Sequence, residues 1–170
     1  MGISGNLAGV LPGVGKRKKV FLPASTFGGV NANAWRPSNA TGSAIHLYLY
    51  LEDIYPRSSL EIRVLWSTSN TTTTNTHTWR VRLLQITFDT DAAAGGTFAA
   101  ISTALVADTV LGTANAIART AAGVIAPGVL KPNELYILKV DVSATDLTLG
   151  DTDNVQFYGL ELAYAQGLLQ

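Results

Sequence analysis

Residues 44–52, Ala44-Ile45-His46-Leu47-Tyr48-Leu49-Tyr50-Leu51-Glu52, alternate without a break. Ile45, Leu47, Leu49 and Leu51 fall on one side, and His46, Tyr48, Tyr50 and Glu52 on the other. Successive side chains of an extended chain point to opposite faces, so this run predicts a strand with one buried face. Leu60 to Trp66 repeats the pattern, with Leu60, Ile62, Val64 and Trp66 opposed by Glu61, Arg63 and Leu65. Asp53 to Ser59, which contains Pro56, reads as the turn between them.

The same reading extends in both directions. Val20-Phe21-Leu22-Pro23 predicts a short edge strand stopped by proline, and residues 24–43 a long Gly/Asn/Ser connection holding Trp35. The polar run Ser67 to Thr78 predicts a loop or a ragged hairpin tip. Trp79, Val81 and Leu83 then oppose Arg80 and Arg82, while Ile86 and Phe88 fall on the other phase, which calls for a bulge near Leu83-Leu84. The Ala- and Gly-rich stretch 89–103 is compatible with one short helix. Leu105 to Leu111 and Ala114 to Ile125 read as strands about Gly112, and Glu134 to Val142 and Val155 to Ala165 as the closing pair, separated by the acidic loop Asp146 to Asn154. About eight strands with regular turn signals and no βαβ rhythm predict an all-β, antiparallel two-sheet jelly-roll sandwich, with a closed barrel as the second choice. No internal repeat is present.

Residues 1–19, MGISGNLAGVLPGVGKRKK, differ from the rest. Their five glycines and one proline carry no strand or helix period, and glycine at this density costs too much backbone entropy for a regular element to form alone. Ile3, Leu7, Val10, Leu11 and Val14 nevertheless recur as apolar side chains, and Lys16, Arg17, Lys18 and Lys19 follow. The expectation is an extended arm, 1–19, that lays these residues on a neighbouring chain, ahead of a domain at 20–170. A disordered leader is the alternative. Net charge is zero, but four of the 12 basic residues sit at 16–19, leaving eight against 12 acidic residues in 20–170. The basic run suits an acidic protein surface better than nucleic acid, because no aromatic residues interleave it and the body is acidic; a solvated hinge is the other alternative.

Composition points to assembly. Hydrophobic residues make up 47% and charged residues 14%, against about 25% charged in ordinary soluble domains. Permanent interfaces are the low-charge surfaces of proteins, so a homo-oligomer is expected. With no cysteine there is neither a disulfide framework nor a cysteine metal site. Every apolar run is too short to span a membrane, and the basic cluster follows the apolar stretch rather than leading it as in a secretory signal. The sequons at Asn39 and Asn70 read as coincidence in a Thr-rich chain.

Candidate chemistry is sparse. Val10 to Arg17 misses both the leading glycine and the trailing hydroxyl of a phosphate-binding loop. His46 reads as a surface strand residue and His77 as a loop residue, with no triad or zinc spacing around either. Asp146, Asp151, Asp153 and Asn154 offer hard oxygens without an EF-hand register, and read as a solvated turn. Trp66 and Trp79 fall on the core phase, whereas Trp35, Tyr48, Tyr50 and Tyr55 are candidates for exposed contacts with protein or sugar. No catalytic residue, metal or cofactor is expected.

Several pieces in order resemble one family: Phe21-Leu22-Pro23-Ala24, Leu60 to Ser67, Thr78-Trp79-Arg80-Val81, Asp108-Thr109-Val110, Asn133-Glu134-Leu135 with Leu138-Lys139-Val140, and Val155 to Leu162. The chain is similar through them to small jelly-roll virion proteins of tailed bacteriophages: head decoration or cement proteins, head fibres and tail-fibre modules. The resemblance implies a non-enzymatic structural role on a virion, usually as a homotrimer. Its partners would be copies of itself and the major capsid or other virion proteins, and its place the capsid surface. A receptor- or glycan-binding fibre module is the alternative, and a small viral coat protein a third reading.

Overall fold

The computed structural model describes residues 14–27, 34–37, 44–86, 100–142 and 154–167. Their strands are β1 (Val14–Pro23), β2 (Ala44–Tyr50), β3 (Leu60–Ser67), β4 (Thr76–Ile86), β5 (Ala100–Thr109), β6 (Ala118–Arg119), β7 (Gly123–Ile125), β8 (Leu135–Val142) and β9 (Gln156–Gly167), with one 3-10 turn at Ala24–Thr26.

The strands form two antiparallel sheets. One runs β1-β9-β3-β6, with β7 also on β3, and the other β2-β8-β4-β5. Taken as pairs the order is nested: β1 with β9, β2 with β8, β3 with β7 and β6, and β4 with β5. A long antiparallel hairpin rolled up so that successive pairs alternate between two sheets has this order, which is the jelly-roll winding expected from the strand count. The winding places β1 at an open edge, where the ring of Pro23 removes no needed donor.

The core follows the sequence alternation. Leu60, Ile62, Val64 and Trp66 of β3 and Trp79, Val81 and Leu83 of β4 are buried, facing each other across the sandwich. An aromatic cluster fills one end. Trp79 and Phe157 lie 5.5 Å apart, Phe27 meets Phe157 edge-on at 5.5 Å, and Trp35 meets it at 6.2 Å. Trp35 is thus a half-buried lid on the core, bridged to Phe157 by two backbone hydrogen bonds, and not an exposed contact. Tyr48 and Tyr50 do face outward from the edge strand β2.

Other departures have local causes. The bulge is found between Leu83 and Leu84, with the extra residue, Ile101, on β5. Ala100–Thr103, at the end of the stretch read as a helix, are strand; 89–99 lie outside the described residues. Ala114 to Ile125 is two short strands, because Thr120 steps out of line. Its hydroxyl accepts the Val64 N–H at 3.0 Å while its own N–H bonds the Val64 carbonyl at 3.1 Å, interrupting the ladder. β4 begins at Thr76, so His77 belongs to a strand and not to a loop. It continues the inward phase of Trp79 and Val81 and is 3% exposed. β1 begins six residues before the strand read at 20–23, and it takes in Lys16, Arg17, Lys18 and Lys19.

Candidate interaction surface

Placing the basic run in a strand sorts its side chains by alternation. Lys18 turns toward the sandwich rim. Its ammonium donates to Asp53 Oδ2 at 2.9 Å and lies 5.9 Å from the centre of the Tyr164 ring. Asp53 also accepts from Tyr164 Oη at 2.9 Å and from Gln166 Nε2 at 2.7 Å. These donors, Lys18 first and then Gln166, hold the Asp53 carboxyl down at about 2, and the Asp53 carboxylate raises the Lys18 ammonium. The cluster clips the β2–β3 turn onto the ends of β1 and β9. Lys18 is therefore a structural residue.

Arg17 and Lys19 point the other way, onto the outer face of the sheet. In the ladder Lys19 lies opposite Ala163, which lies opposite Glu61; Phe21 lies opposite Glu161, which lies opposite Arg63. Outward positions of the middle strand β9 thus include Gly159, Ala163 and Ala165, while β1 and β3 on either side present long side chains. Ala163, small between two taller walls, opens a groove of about 520 Å³, lined also by Arg17, Lys19, Phe21, Glu61, Arg63, Arg119 and the outward Glu161 of β9 itself. Phe21, half exposed, lies against Gly159 at one end; a Cβ on that glycine would come within 2.9 Å of its ring.

The groove's charges are partly matched. Arg17 pairs with Glu61, and Arg119 reaches from β6 to Glu161, with Nε 2.8 Å from Oε2. All four side chains are 30–54% exposed, so each pair contributes about 1 kcal/mol or less to stability. Their effect is on the pattern of the surface. Arg63 spends Nη1 on the neutral Thr120 carbonyl at 3.1 Å, and Lys19 is exposed with no carboxylate partner among the described residues. Four cations to two carboxylates leave an excess of two positive charges in the groove.

A second charged group sits on the outer face of the other sheet. Arg80 grips Asp141 with both arms, Nε–Oδ1 2.6 Å and Nη2–Oδ2 3.1 Å, and Arg82 bonds the same carboxylate. Here the acid is buried and its partners half-buried, which makes this a structural triad across β4 and β8.

Of the arm residues singled out in the sequence, Arg17 and Lys19 come together in the groove, Lys18 is diverted to Asp53, and Lys16 is exposed on β1. Val14 pairs in register with Gly167. Ile3, Leu7, Val10 and Leu11 lie outside the described residues, as do Asp146, Asp151 and Asp153. The groove's other members, Glu61, Arg63, Arg119 and Glu161, were not foreseen as a site. Alternation gave the outward phase of Glu61 and Arg63, but only the strand order makes them neighbours of Lys19. Among the described residues no three of His, Asp and Glu are grouped to hold a metal ion. No protein-family model matches the chain, and no curated protein is significantly similar to it.

Proposed function

We propose that this chain is a non-enzymatic structural protein of a virus particle, a decoration or cement protein that trimerises on a capsid and reinforces it. The observation that carries the reading is the amount of apolar side chain on the outside of the sandwich. Phe21, Tyr48, Tyr50, Leu105, Leu111, Ile117 and Val124 are each about half exposed or more, between 49 and 62%. Singly such groups are ordinary on a protein surface, but here they are joined to a charge fraction of only 14%, and a surface poor in charge is the kind that a permanent partner covers. Jelly-roll domains recur in capsids and in lectins. Fold alone selects neither role, and the breadth of this surface favours assembly over a single ligand pocket. The arm residues Ile3, Leu7, Val10, Leu11 and Val14 would add contacts to a neighbouring subunit.

The test is to quantify the chain in purified native particles. The reading expects a copy number tied to the capsid lattice, in multiples of three, and loss of shell strength when the protein is stripped. A scarce chain that retains carbohydrate would support the second reading, a glycan-binding fibre module. That reading draws on Tyr48 and Tyr50, which stand two residues apart on the outward face of the edge strand β2, as stacking platforms for sugar rings do.

A further inference from the structure

We propose that the groove along β9 is a docking site for an acidic segment of another protein chain, with Lys19 and Arg63 receiving its carboxylates. The inference goes beyond the virion reading and can be measured on the isolated chain. Charge complementarity selects the occupant. Glu61 and Glu161 are already held by Arg17 and Arg119, so the two cations in excess are the groups left to receive an anion. They stand on opposite walls, Lys19 on β1 and Arg63 on β3, one ladder step apart across Ala163 and Glu161.

Shape agrees with charge. The groove lies between long side chains of β1 and β3 over Ala163 of β9, while Glu161 of the same strand is drawn to Arg119, so a segment's carboxylates can reach Lys19 on one wall and Arg63 on the other. Phe21, half exposed at one end, offers an apolar contact to such a segment. Its volume, about 520 Å³, falls in the range of sites that take compact ligands, about 300–1,000 Å³. Nucleic acid fits less well. A single phenyl ring does not make the series of stacking platforms that unpaired bases use.

The test is a titration with hexaglutamate, followed by amide NMR shifts in low-salt buffer and repeated at high salt. Shifts should concentrate on β1, β9 and β3 and fade as salt is added. Lys19→Gln should weaken binding about threefold, within the range of an exposed charge pair, and Lys19→Glu, which adds a repulsion of similar size, about tenfold, with the melting temperature unchanged because the Lys19 side chain has no ion-pair partner among the described residues. Lys131→Glu, which makes the same change in net charge away from the groove, should leave binding intact. Ala163→Leu, which fills the floor without altering charge, should weaken it. Salt-reversible self-association that hexaglutamate blocks would identify a second copy as the source of the acidic segment. The proposal is overturned if hexaglutamate does not bind at low salt, if Lys131→Glu weakens it as much as Lys19→Glu, or if oligothymidylate of equal charge binds more tightly.

Discussion

Trp66 shows how a single side chain ties sequence phase to packing. Its indole is 1% exposed, its Nε1 donates to Asp108 Oδ2 at 2.9 Å, and the His77 ring stacks on it at 5.3 Å. Trp66→Ala removes all of these and leaves a cavity, so chemical denaturation should show a loss of about 3–5 kcal/mol. Leu65→Ala, one residue away on the half-buried outer face, should cost under about 1.5 kcal/mol. Equal costs would mean that the strand's two faces are misassigned. His77 beneath it is the more unusual residue. It lies 4.7 Å from Trp79, both ring nitrogens lack a hydrogen-bond partner among the described residues, and burial pushes its pKa down to about 4. The folded state thus prefers neutral imidazole, whereas the unfolded chain takes up its proton near pH 6.5. The stability this residue permits is whole above pH 6.5 and is lost as pH falls toward 4, amounting to about 3 kcal/mol at the acid end. His77→Phe should flatten the pH dependence between 6.5 and 4. Parallel wild-type and variant curves would show that His77 is not held neutral.

At the scale of elements, the parts legible in the sequence were those where hydrophobic alternation writes the strand. β2 and β3 came through with their inward phases, β8 and β9 as strands without an assigned face, and the Leu83-Leu84 bulge was visible as a change of phase. β1 was only half legible. Its apolar run begins at Val20, and Lys16-Arg17-Lys18-Lys19 has no alternation to read, because its extended form is set by pairing with a strand more than 140 residues away. The groove was hidden for the same reason. Its walls and floor come from strands that the sequence separates and the jelly-roll winding brings side by side. Gly159 marks how tightly β1 and β9 meet. The glycine has φ +155°, and an added Cβ would fall 2.4 Å from the Leu22 carbonyl oxygen. Gly159→Ala should therefore push the edge strand away, at a cost of about 1–3 kcal/mol by denaturation, and should quicken amide exchange on β1 more than on β8. Uniform exchange would show that the edge yields without strain.

For the whole molecule, the winding makes the first and last described strands partners, and this decides what truncation does. Removing residues 2–13 takes away Ile3, Leu7, Val10 and Leu11 while sparing β1, whose pairing with β9 runs from Val14 to Pro23. The sandwich should fold with its unfolding midpoint unchanged. Under the assembly reading, attachment to particles should fall, because the arm's apolar contacts are gone. Removing 2–22 is a different operation. It strips Val20 and Leu22, which pack against the core, and it deletes Lys18 from the Asp53 cluster and Arg17 and Lys19 from the groove. It also leaves β9 as a bare edge. The net loss of backbone hydrogen bonds at about 0.5–1.5 kcal/mol each, together with two partly buried apolar side chains, is comparable with the whole stability of a domain, about 5–15 kcal/mol. This truncation should therefore be unfolded or aggregated, through pairing of the exposed β9 edge between molecules. Circular dichroism and sedimentation distinguish the two truncations directly. If the 2–13 deletion binds particles as tightly as the intact chain, the apolar residues ahead of β1 are not contacts, and any attachment must run through the sandwich faces and the β9 groove.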